Sequence, residues 1–404
     1  MYSMSNPRFF HAFLRQIGVT STGVGLALVA HSHGISPASA ESDDDEKAVT
    51  NWSGTHRVAV DPSRFFEPSS AAELAAVVSN AHAEGYSIRP VGNALSPNAL
   101  GLSPTGMVSV AKLDRILTID TERNEVTVEA GVSVGAVLHE LRKHDLTLQN
   151  FSSITEQQMG GWTQVAAHGT GCALPTVDEM IVRMTLVTPA EGPIELSATS
   201  DPALFALAKC GLGALGVVSK LTLRCTPAHR LKEATEVVTH EVLRGERGAG
   251  VGHLERLREN RHVRYMWMPH TDKVVVVISN ATEDEATAER SDDDDDDGNG
   301  DDAAATNEAA ALSEMRTLLR ASAPRAYPTE ESVDGMTLMQ LRGELLDPIV
   351  CDALGASAPL DCDHVAAVNT AEATAWSGLA ATEQRIGWSD DILGFDCGGQ
   401  QWVL

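Results

Sequence analysis

Aromatic residues make up only 4% of this 404-residue chain, and basic residues are outnumbered: 30 Lys and Arg stand against 56 Asp and Glu, a formal charge of −26. Two short tracts, Glu41–Lys47 and Glu283–Asp302, hold −4 and −11 of that charge, which leaves −11 on the rest. Nucleic-acid affinity rests on phosphates neutralised by Lys and Arg, so this balance argues against such a partner and suits a basic protein better. The six cysteines (Cys172, Cys210, Cys225, Cys351, Cys362, Cys397) form no C-x-x-C pair and have no His-rich companion at metal spacing. Zinc and a disulfide framework are therefore not expected, and free thiols are. Long apolar runs are also missing: Gly18–Ala30 falls short of the ~20 residues that span a bilayer. No G-x-x-x-x-G-K-[ST] string occurs, and no G-x-G-x-x-G follows the first strand, so neither a P-loop nor a Rossmann turn is supported.

Enough apolar material remains, 43%, for two ordinary domains. Residues 1–40 contain no Asp or Glu, carry Arg8 and Arg15, and space Phe9, Phe13 and Ile17 at i, i+4, i+8. That is the composition of an organelle transit peptide, and mitochondrial import is the favoured reading. A secretory-type signal stays open, because Ala38-Ser39-Ala40 resembles an A-x-A cleavage site.

Ser70-Ala71-Ala72-Glu73 reads as a capping box, opening a helix that stops near Gly85. A strand at Tyr86–Val91 then leads into a turn-rich stretch, Gly92–Gly101. Val108–Ile119 and Glu125–Ala130 read as strands, and Ser133 caps a helix with Val134, Val137, Leu138 and Leu141 on one face. Strands are predicted at Ile181–Thr188 and Val217–Cys225, and a hairpin from Tyr265–Pro269 and Lys273–Ser279. Ala281–Asn307 is acidic and of low complexity, which predicts an irregular insert. Helices resume at Leu312–Leu319 and Leu338–Leu346.

Three glycine clusters punctuate the first half: Gly92–Gly101, then Gly160-Gly161 with His168–Gly171, then Gly211–Gly216. Loops dense in Gly and Ser let backbone amides approach an anion, and three of them point to a large phosphate-bearing ligand. The runs Arg89-Pro-Val-Gly-Asn-Ala-Leu-Ser-Pro-Asn98, Val126-Thr-Val-Glu-Ala-Gly131, Gly160-Gly161 with His168-Gly-Thr-Gly171, and Gly211-Leu-Gly-Ala-Leu-Gly-Val-Val218 together resemble the FAD domain of the vanillyl-alcohol-oxidase flavoprotein family. Leu148-Gln-Asn-Phe151, Glu156-Gln-Gln158 and Gly394-Phe-Asp-Cys-Gly-Gly-Gln-Gln-Trp402 resemble its plant-type aldonolactone dehydrogenase branch, and the similarity runs from about Asn51 to Trp402.

The resemblance implies an α+β chain: a targeting segment and acidic linker over 1–50, a two-subdomain FAD-binding domain over 51–226, and an incomplete α+β cap over 227–404 with the insert at 281–307. It implies that Gly92–Asn98 form the loop around the FAD pyrophosphate and that Arg89, Pro90, Val91, Gly92, Asn93, Ala94, Leu95 and Ser96 bind the cofactor. Gly160, Gly161, His168, Gly169, Thr170 and Gly171 would form a second flavin-contacting segment, with His168 equally readable as a structural histidine. Gly213, Gly216, Val217 and Val218 would form a third, on the adenine or pyrophosphate side. Leu95 stands where many relatives carry the His that bonds the flavin, so FAD is expected noncovalently bound. Ser152 and Ser153 would approach the flavin ring. Ser152 replaces the Ala of dehydrogenases and the Gly of oxidases, and its extra atoms are expected to obstruct oxygen.

The implied reaction takes two hydrogens from L-galactono-1,4-lactone, hydride to the flavin and a proton to a base, giving L-ascorbate. Cytochrome c would accept the electrons, in the mitochondrial inner membrane or intermembrane space. Two alternatives stay open: an FAD-binding assembly or regulatory factor without turnover, and an aldonolactone oxidase using oxygen. The family continues past the Gly394–Trp402 string into a region that supplies a Glu-x-Arg pair, so this sequence is expected to be an incomplete version of a longer one. Catalytic residues are accordingly unassigned; Thr382-Glu383-Gln384-Arg385 mimics the motif but precedes that string.

Overall fold

Val126 and Val128 alternate with Thr127 and Glu129, and in the computed structural model, which describes residues 47–52, 54–245, 250–284, 309–346, 361–380 and 384–394, both valines are fully buried in a five-stranded sheet. The strands in chain order are β1 (Lys47–Thr50), β2 (Arg57–Val60), β3 (Phe65–Phe66), β4 (Arg89–Val91), β5 (Met107–Ser109), β6 (Ile116–Asp120), β7 (Glu125–Glu129), β8 (Leu146–Thr147), β9 (Ile181–Thr188), β10 (Gly192–Ser197), β11 (Val217–Arg224), β12 (Thr226–Pro227), β13 (Arg230–Thr239), β14 (His262–Trp267), β15 (Lys273–Thr282) and β16 (Gln384–Trp388). They form a β1-β2 pair, a parallel β3-β5-β4 sheet, an antiparallel β10-β9-β11-β7-β6 sheet, a β12-β8 pair and an antiparallel β14-β15-β13-β16 sheet.

Ser70 accepts from the Glu73 amide at 3.2 Å and opens the helix Ala71–Glu84; Gly85, at φ 73°, closes it. The reciprocal half of the capping box lands one residue early. Glu73 Oε2 accepts from the amide of Ser69 at 2.7 Å, because Ser69 offers its hydroxyl to the same oxygen at 2.9 Å. The helix crosses between β3 and β4 and lays Leu74 and Val78 into the core that holds Val126, Val128, Leu186 and Leu221, so the small parallel sheet and the five-stranded sheet share one interior.

Two predicted strands are shorter than their apolar runs. Tyr86 donates its amide to Ala81 at the helix end, which leaves only Arg89–Val91 extended. Val108–Ile119 breaks into β5 and β6 around a turn closed by Leu113 N to Val110 O at 2.9 Å. Arg115 fixes that turn from the side. Its amide and Nε reach Glu129 Oε2 at 3.0 and 3.1 Å and its Nη2 reaches Oε1 at 2.7 Å, which holds the Glu129 carboxyl below the usual carboxylate range.

The β13–β15 ladder runs ten residues in register, from Arg230 opposite Thr282 to Thr239 opposite Lys273. Ala281 and Thr282, predicted to begin the irregular insert, therefore extend β15, and the remainder of the insert from 285 lies outside the described residues. The hairpin pairs β14 with β15, its first strand set earlier than Tyr265–Pro269. Helices Ser313–Ser322, Leu338–Leu345 and Cys362–Leu379 pack Leu312, Met315, Leu319, Leu341 and Val368 into a separate core, joined to the sheet through Ala373 against Val275 and Val277. Arg142, at the end of the helix capped by Ser133, ties this half to the first: Nη2 pairs with Asp390 and, at 2.8 Å, with Asp391.

The tightest point lies just beyond β7. A Cβ on Gly131 would stand 2.0 Å from Val110 O and 2.8 Å from Leu113 O, while Gly131 N donates to Leu113 O at 2.7 Å. Replacing Gly131 with Ala should lower unfolding free energy by about 3 kcal/mol, the upper range for forced overpacking, read as a lower midpoint in urea.

Candidate functional site

A cleft of about 1030 Å³, counting the part open to solvent, lies between the loop after β4 and the segments 157–165 and 212–218. The structure brings to its wall the whole of Arg89–Ser96, both Gly160 and Gly161, and Gly213, Gly216, Val217 and Val218. Arg89 is the one charged residue among the described residues that line it, and its Nη1 donates to Leu212 O at 3.0 Å across the cleft's floor. Gly213 is at φ 72°, where a Cβ would meet Pro90 Cγ at 2.7 Å, so glycine is required for the third segment to reach the first.

His168, Gly169, Thr170 and Gly171 do not line this cleft. Gly169 is set against Asn150 and Phe151, with a Cβ's place only 2.2 Å from Asn150 Oδ1, and the exposed His168 ring bonds Gly169 O at 2.8 Å. Thr170 faces the second half of the chain: its hydroxyl lies 3.2 Å from His262 Nδ1, and its carbonyl accepts from Val263. Ser152 and Ser153 are also outside the lining; the Ser152 hydroxyl is bonded to Trp162 Nε1, at 2.8 Å, and to Gln157 Oε1.

Several wall residues were not singled out from sequence: Asn51, Val110, Gln157, Gln158, Trp162 and Gln164. Gln157 and Gln158 were visible only within the quoted Glu156-Gln-Gln158 string, and a lone Trp carries no signal of its own. Among the described residues, the amides of Asn93, Ala94, Leu95 and Ser96 have no protein acceptor. Gln158 Oε1 is buried without a donor in the same wall. Gly161 has no atom within 4 Å of the place its Cβ would take.

Burial pushes Cys225 up to about 12, and the exposed Cys172, Cys210 and Cys362 are free; Cys351 and Cys397 lie outside the described residues. Among the described residues no helix is long and apolar enough to cross a membrane, and no group of His, Cys, Asp and Glu is placed to hold a metal. The predicted targeting segment, 1–40, lies outside the described residues.

Residues 62–197 match the FAD binding domain family. Over 364 residues the chain is 43% identical to "L-galactono-1,4-lactone dehydrogenase 2, mitochondrial" of Oryza sativa subsp. japonica. That match covers 89% of this chain and 57% of the relative, so the chain spans little more than half the length of the curated relatives it matches. L-gulonolactone oxidase of Bos taurus is 31% identical over 234 residues, 57% of this chain and 51% of that protein. Among solved structures a solvent-stable cholesterol oxidase aligns with a TM-score of 0.63 at 20% identity, over 87% of this chain and 62% of that one, a likeness of fold.

The wall fits FAD. Four acceptor-free amides in a row suit the oxygens of a pyrophosphate, the orphaned Gln158 Oε1 suits an N–H of a heterocycle, and the space beside Gly161 admits a ring system close to backbone.

His262, buried between the two halves, is pushed down to about 4 by burial, with Arg261 and His229 adding repulsion. The native state keeps it neutral, whereas the unfolded chain takes up a proton below about pH 6.5. Its contribution is therefore intact above pH 6.5 and is lost progressively as pH falls to about 4, by about 3 kcal/mol in all. Urea midpoints should fall from pH 7 to pH 4.5, and His262→Gln should flatten most of that slope, leaving the smaller part from His229, which burial also lowers.

Proposed function

We propose that this chain binds FAD noncovalently in the cleft and belongs to an enzyme that oxidises L-galactono-1,4-lactone to L-ascorbate. The observation that carries the reading is the row of acceptor-free amides at Asn93–Ser96 opposite Gly161 and Gly213, in a chain 43% identical to a relative bearing that activity as its name. Bound FAD supplies the two-electron acceptor for hydride leaving the lactone.

The chain's own residues bind and orient. The Asn93–Ser96 amides hold the pyrophosphate, and Arg89 adds positive charge at the same end while fixing Leu212. Leu95 lines the wall without a nucleophilic atom, which supports noncovalent attachment. Arg385 supports no catalytic role: it sits on β16 with Nη1 3.5 Å from Glu233 Oε1, paired within the cap sheet, and Glu383 lies outside the described residues. The acidic surface suits cytochrome c as electron acceptor. Mitochondrial names among the relatives, with the acid-free Arg8 and Arg15 segment, support a mitochondrial location at the inner membrane or intermembrane space. One observation favours the oxygen-using alternative: the Ser152 hydroxyl is engaged by Trp162 and Gln157 and is not a free obstruction at the wall.

An absorbance spectrum of the purified chain, before and after acid precipitation, tests this directly. Yellow colour released by acid, bleached by L-galactono-1,4-lactone without air and restored by ferricytochrome c, is the expected result. Rapid restoration by air alone would make the protein an oxidase; colour that the lactone leaves unbleached would make it an FAD binder without turnover, and the absence of flavin would refute the reading of the cleft.

A further inference from the structure

We propose that Ser152 is a positioning residue: its hydroxyl links the buried Trp162 indole to Gln157 and so presents the Gln157 amide nitrogen to an acceptor atom of the bound dinucleotide, an inference that rests on the cleft being the FAD site. The polarity of the link follows from the groups. An indole N–H can only donate, so at 2.8 Å Ser152 Oγ is the acceptor from Trp162 Nε1. The hydroxyl's single proton is then free for its other partner, Gln157 Oε1. With its oxygen held there, the carboxamide leaves Nε2 as its outward end.

Three further facts make this a built arrangement. Trp162 is fully buried on the helix Met159–Gln164, so its N–H is a fixed reference point with no water to turn to. The backbone of Gln157 is pinned, its carbonyl accepting from Val134 N at 2.9 Å, so the side-chain torsions are the remaining freedom and Ser152 removes it. Gln157 is part of the cleft wall, and among the described residues its Nε2 has no protein acceptor. A donor fixed in orientation and lacking a partner, in a wall that fits an acceptor-rich ligand, is a binding group. Ser152 itself stays off the wall, so it acts through Gln157.

The test needs one readout for the link and one for its consequence. The chain carries six Trp, and 5-fluorotryptophan labelling gives each a 19F resonance, with Trp162→Phe identifying the one concerned. Ser152→Ala should move the Trp162 resonance and weaken FAD binding by fluorescence titration about 10-fold, the worth of one hydrogen bond. Gln157→Ala should weaken it by at least as much. The double variant should bind no more weakly than Gln157→Ala alone, because Ser152 has nothing left to position.

A Trp162 resonance unmoved by Ser152→Ala, or losses that multiply in the double variant, would overturn the proposal. A wild-type chain that takes up no FAD would overturn the reading of the cleft and this inference with it. That outcome is told apart from loss of fold by the circular dichroism of the same sample.

Discussion

Backbone meets backbone just past β7, and the cleft depends on that meeting. Gly131 donates to Leu113 and leaves no room for a Cβ against Val110 O, Ala130 donates to Ser219, and Gly160 donates to Ala130 O at 2.7 Å with its own Cβ's place 2.8 Å from Ala130 Cβ. Four chain segments thus converge within hydrogen-bond reach of two residues. Packing this close transmits position without slack, since an interior at crystal-like density cannot absorb a methyl group. The turn that Arg115 and Glu129 brace is one side of the junction, and the glycine wall of the cleft is the other.

Local signals carried the elements well where one residue type decides one feature. Ser70 and Ser133 each accept from the amide three residues on, and Val126 and Val128 alternate into the core as their spacing requires. Where a partner distant in sequence decides, they did not. Nothing in Val108–Ile119 announces a break, because the turn closed by Leu113 N on Val110 O is braced by Glu129 and Gly131 at the end of another strand. Gly169 is written identically whether it makes way for a ligand or for Asn150, and only the folded chain distinguishes the two. Ser152, Gln157 and Trp162 lie within eleven residues, yet their link depends on the torsions of three side chains, which no spacing encodes.

The two halves of the chain meet through polar groups, with Leu393 packed against the first core. Arg142 joins Asp390 and Asp391, Thr147 lies 3.4 Å from Ser389, and Thr170 faces His262. Each half keeps its own hydrophobic core. A seam of this kind fixes orientation by direction-dependent bonds, and it leaves the stability of either half largely its own affair.

The unmatched amides of Asn93–Ser96 bear on the protein's lifetime as well as on its chemistry. A ligand that takes up those amides adds to the bonds the loop already makes through the Asn93 side chain and the Ala94, Ser96 and Pro97 carbonyls, so its opening becomes rarer as ligand concentration rises above the dissociation constant. Cellular proteases sample such openings. The supply of flavin would then set how long each copy survives, and abundance of the protein would follow riboflavin status even at constant synthesis.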